Sequence, residues 1–180
     1  MIEKAEKATR NWLEQVVIDL NFCPFAKKPF LDNSIRILVD QNKSDHRRLN
    51  TLETELKLLE QDASIATTLI VYQNEFIDFE HYLDWAAFGE DQLKVWGYEG
   101  AYQLATFHPN YLFDGTSEND PSNYTNRSPF PMLHLIREDD VEWARERHPN
   151  VESIPDTNIK KTTNLGIEKM KQILRGCLTE

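Results

Sequence analysis

The chain has 180 residues, 40% hydrophobic and 11% aromatic, which suits one domain with a substantial core. Its formal net charge of -10, with no dense Lys/Arg run, sets it against a phosphate backbone and excludes nucleic acid as a partner. No apolar run approaches the roughly 20 residues of a membrane span, and the charged opening MIEKAEKATRNW lacks a signal-peptide core, so the sequence predicts a cytoplasmic protein with no membrane partner.

The helical spacing of Ala8, Trp12, Val16 and Leu20, flanked by Leu13 and Val17, predicts an amphipathic helix over 3–20. It ends near Asn21, because Pro24 disfavours helical geometry at Cys23. Pro29 predicts a short, irregular stretch after it. Residues 34–40, SIRILVD, read as a mostly buried strand. A helix over 45–61 comes next, with Ser44 as N-cap and Leu49, Leu52, Leu56 and Leu59 as its stripe. The β-branched run 67–72, TTLIVY, reads as a central strand.

A third helix is expected over 78–94, burying Tyr82, Trp85, Ala86, Phe88 and Leu93, with Gly97 and Gly100 turning the chain after it. Residues 101–107 read as a strand that delivers His108, and 132–137 as a fourth strand. Asp139 or Asp140 caps a short helix through Arg147; Pro149 and Pro155 interrupt the chain after it; a last helix spans 160–175. Cys177 lies where chain ends fray, and reads as incidental. The alternation predicts a single α/β or α+β domain over 1–180, with a small three- to four-stranded sheet covered by helices.

Residues 108–137 stand apart. They hold two histidines, two arginines, four prolines and several amides, interleaved with Tyr111, Phe113, Tyr124 and Phe130. Disordered segments are poor in aromatics, so this reads as an ordered loop that builds a site. His108 comes after a strand, where ligands gather in open sheets; it is either a site residue or a capping histidine. His134 lies within a strand and alone reads as a core histidine. Arg127, in the run Asn126-Arg127-Ser128-Pro129, offers a planar fork for carboxylate or phosphate, and Arg137 is expected to reach the same region. The alternative is that both arginines fix the loop internally.

Cys23 sits in NFCPFAKKPF, before a proline suited to the first helical position. A helix N-terminus, helped by Lys27 and Lys28, would lower its pKa and make a thiolate; the alternative is a small buried hydrophobe between Phe22 and Phe25. Cys23, His108 and His134 offer a Cys–His nucleophilic pair or a sequence-distant metal site, although no CxxC or HxxxH is present and no metal ligand is assigned.

The stretches NFCPFA, HPNYLF, NRSPFPMLHLIRE, HPN and IPDTN together resemble the domain-of-unknown-function family 1415 of uncharacterised bacterial proteins. The resemblance runs from the first helix to Asn158. It implies a cytoplasmic protein of about this size and no established activity. The pattern of that family includes Cys23-Pro24-Phe25, His108-Pro109, Asn126-Arg127-Ser128-Pro129 and His134 with Arg137, which implies one shared site.

Two functions are expected, with the cofactor left open. The first is an enzyme in which Cys23, His108 and His134 are catalytic and Asn126, Arg127, Ser128 and Arg137 bind a small anionic substrate. The second is a non-catalytic module that binds a small anionic metabolite or a protein partner, with Cys23 as packing.

Overall fold

A computed structural model describes residues 2–148 and 150–179. The fold is α+β: one four-stranded sheet lies between helices. The strands are β1 (Ile35–Asp40), β2 (Thr67–Tyr72), β3 (Tyr102–Phe107) and β4 (Met132–Arg137), in the spatial order β1-β2-β4-β3. β1 and β2 run parallel, joined by the crossover helix α3 (Asp45–Gln61), while β4 is antiparallel to both of its neighbours.

Alternate residues of each strand serve opposite faces. On one face Ile35, Val39, Leu69, Val71 and Met132 meet α1 (Ile2–Trp12), a π-helical turn (Leu13–Ile18) and α7 (Ile167–Leu178). On the other, Ile70, Tyr72, Leu133 and Leu135 meet α3 and α4 (Phe79–Val95). Leu52, Leu56 and Leu59 of α3 are almost fully buried, and each contributes about 1.5–3 kcal/mol. α4 opens on Asp78, whose side chain accepts from the His81 N–H. The edge of β3 is capped: Glu90 accepts from the Leu104 N–H, and the Asn126 amide donates to the Thr106 carbonyl.

Several elements differ from expectation. The first helix changes character at Leu13, where a π turn widens it. The Val17 carbonyl can then accept from both Phe22 N–H, at 2.9 Å, and Cys23 N–H, at 3.4 Å. Pro29 sits inside a short helix, α2 (Lys27–Leu31). α5 (Glu138–Arg147) has its two aspartates in the first turn rather than at the cap, which is Arg137. The C-terminal region holds two helices, α6 (Ile154–Leu165) and α7, broken at Gly166, whose φ of 78° suits glycine. Pro155 is in the first turn of α6, where its missing N–H costs nothing. Phe88 is 43% exposed rather than buried, and Cys177 is fully buried in the α7 contact.

Candidate functional site

The loop from His108 to Pro131 is ordered by its own polar groups. Asn123 is fully buried and organises it: its Oδ1 accepts from the Phe113 N–H and the Thr116 hydroxyl, and its Nδ2 donates to the Ser117 carbonyl. Asp120 accepts from the Ser122 N–H and opens a 3-10 turn (Pro121–Thr125) against which α6 packs. Arg127 spans the loop, donating from Nε to the Tyr111 carbonyl and from its terminal nitrogen to the Glu118 carbonyl, with its guanidinium 4.8 Å from the centre of the Tyr124 ring. The backbone carbonyl of Arg127 accepts from the Trp12 indole at 3.0 Å, which docks the loop on α1.

Two side chains of α6, one turn apart, grip the turn that carries Cys23. The Asn158 amide donates to the Phe22 carbonyl at 2.8 Å, and Lys161 donates to the Leu20 carbonyl. Between this turn, the loop and α6 lies a cavity of about 550 Å3. Its walls are largely apolar: Val17, Phe22, Phe107, Phe113, Ile154 and Ile159. Polar groups come from Cys23, Thr116, Ser122, Thr125, Asn126 and Asn158. Among the described residues, no charged side chain lines it.

Of the seven side chains singled out in the sequence, Cys23 and Asn126 share this cavity and the other five do not line it. The pleat separates His108 from Phe107: Phe107 faces Trp12, while His108 is fully buried on the opposite face against Phe79 and Tyr82. The Nδ1 of His108 accepts from the Asn110 N–H, so Nε2 carries the proton and donates to the Phe76 carbonyl at 2.8 Å. Burial lowers its pKa. His134 stands on the same face as Phe107, and its Nε2 donates to the Thr67 hydroxyl, which itself donates to the Leu135 carbonyl. Desolvation pulls its pKa down to about 4.

Ser128 is fully buried, with its hydroxyl on the Phe130 carbonyl. Arg137 is at the far end of β4 from Met132, roughly 17 Å away along the strand. There it donates to the carbonyls of Leu59, Ile65 and Ala66 and closes the C-terminus of α3.

The expectation that Arg137 reaches the region of Arg127 is overturned by this placement, and so is the helix cap expected at Cys23. Cys23 is not the cap of a helix, because α2 begins at Lys27 with Ala26 before it. Burial raises the thiol pKa, outweighing the Phe25 and Ala26 backbone N–H groups that pull it down. The sulfur is therefore a protonated, weakly nucleophilic group at neutral pH. No three His, Cys, Asp or Glu side chains come together as a metal site among the described residues.

The α6 wall, with Asn158, Ile154 and Ile159, was missed in the sequence. Its signal was present: Ile154, Asn158 and Thr162 recur every fourth residue, with Pro155 in the first turn.

No curated protein and no solved structure matches the chain. A family model, described as a protein of unknown function (DUF1415), matches residues 4–172, which takes in both the Cys23 turn and α6. The chain belongs to the DUF1415 family.

Proposed function

We propose that the chain is a non-catalytic binding module whose cavity takes a small, uncharged, mostly apolar molecule. The observation that carries this reading is the absence of charged side chains from the cavity wall among the described residues. The volume of about 550 Å3 is ordinary for a small-molecule site, and such sites are largely apolar with a few placed polar groups. An anionic ligand would lose its hydration there without gaining a cation, since Arg127 and Arg137 are committed to backbone carbonyls. A catalytic role for Cys23 needs an acid–base partner, and His108 and His134 engage their own neighbours.

We place this role in the bacterial cytoplasm and expect neither nucleic acid nor membrane as a partner. Two free thiols and a net charge of -10 support that placement. No helix among the described residues is long and apolar enough to cross a membrane.

The test uses N-phenyl-1-naphthylamine, an uncharged dye whose fluorescence rises in apolar sites. Ile159 lines the cavity yet is 47% exposed, so Ile159→Trp fills the rim with little disturbance of the core. The expected result is saturable fluorescence with the native chain and its loss in I159W at unchanged circular dichroism. Equal signals from both proteins would overturn the reading.

A further inference from the structure

Resting on the binding-module reading, we infer that helix α6 is the lid of the cavity: it lifts about Gly166 to admit the ligand and settles over it. Ile154, Pro155, Asn158 and Ile159 set the helix along one side of the cavity. Of its 12 residues only Asn158 and Thr162 are buried, and both are polar. Leu165, at its very end, is its one member of the apolar clusters that flank the sheet, among the described residues. The adjoining helix α7 differs. It buries Met170 and Cys177 and sets Ile167, Ile173 and Leu174 against the same cluster. Elements with few buried apolar contacts open at the lowest free energy.

What holds α6 down is polar. Asn158 and Lys161 donate to the Phe22 and Leu20 carbonyls, on the turn that carries Cys23. α6 also lies on the 3-10 turn Pro121–Thr125, but no hydrogen bond joins the two among the described residues. Ile154 and Ile159 border open volume instead of close-packed atoms, so they gain little dispersion. The first turn has no side-chain cap. Asn158 Oδ1 is buried without a donor among the described residues, a cost that lifting the helix relieves. Gly166, at φ 78°, ends α6 and begins α7, so a change of backbone angle there swings one helix on the other. A bound apolar molecule supplies the contacts that Ile154 and Ile159 lack, and therefore favours the closed helix.

The test combines peptide-resolved hydrogen exchange with N-ethylmaleimide labelling of Cys23, in the native chain and in Asn158→Ala and Lys161→Met. In the native chain, α6 amides should exchange about tenfold or more faster than α7 amides. Each substitution removes one tether. It should speed α6 exchange and Cys23 labelling together, by about three- to tenfold, with α7 unchanged. Saturating N-phenyl-1-naphthylamine should slow both in the native chain. If Asn158→Ala unfolds, the native comparison and Lys161→Met decide.

Equal protection of α6 and α7 in the native chain, or equal acceleration of both in the variants, overturns the inference. So does faster α6 exchange with no change at Cys23. Dye that binds yet leaves α6 exchange unaltered overturns the lid and leaves the binding reading standing. Absence of dye binding overturns the binding reading instead, and exchange and labelling in the dye-free protein then judge the opening by themselves.

Discussion

Arginine 127 shows how a side chain suited to anion binding is used as a brace. Its donors reach two loop carbonyls and its face lies on Tyr124. Arg127→Ala should cost about 2 kcal/mol in urea unfolding, because two charge-assisted bonds are lost. Arg127→Lys should recover little, since one ammonium cannot span both carbonyls. His134 makes stability depend on acid. Its folded pKa of about 4 lies below the ordinary 6.5, so the unfolded chain binds the proton more readily. Its contribution is complete above pH 6.5 and drains away as pH falls toward 4, on the order of 3 kcal/mol in all. Chemical denaturation at pH 7 and pH 4.5 should show a smaller loss in His134→Gln than in the native chain. For Cys23, the raised pKa predicts slow iodoacetamide labelling at neutral pH, with a rate still climbing where an ordinary thiol has levelled off.

Among the secondary-structure elements, the strands were the most legible. Runs such as TTLIVY are too β-branched and too short for anything else, and all four strands fall within a residue of expectation. Helix α6 was not legible in the same way, because Pro155 reads as a breaker until it is placed in a first turn and Gly166 as a stop. Missing α6 meant missing one wall of the cavity. The loop was located correctly as an ordered region, and five of its side chains, Phe113, Thr116, Ser122, Thr125 and Asn126, line the cavity. What spacing could not show was the pleat, which turns Phe107 and His108 to opposite sides, and the carbonyls that occupy both arginines. The order of the loop depends on Asn123. Asn123→Ala removes three bonds from a fully buried amide, so it should cost about 3 kcal/mol and sharply reduce hydrogen-exchange protection of the Phe113 amide.

Taken as a whole, the molecule packs helices on both sheet faces and keeps its large cavity to one side, where α6 and the loop meet the turn after the π-helical segment. Among the described residues, charged groups stay out of that cavity, although they make up 28% of the chain. Ligand choice should therefore depend on apolar burial rather than charge. The direct measurement is a titration of 15N-labelled protein, monitored amide by amide, with 2-naphthol and separately with inorganic phosphate. The expected result is saturable shifts at Cys23, Phe113, Asn126 and Asn158 with 2-naphthol and none with phosphate. Saturable shifts with phosphate centred on Arg127 or Arg137, with 2-naphthol inert, would contradict the account.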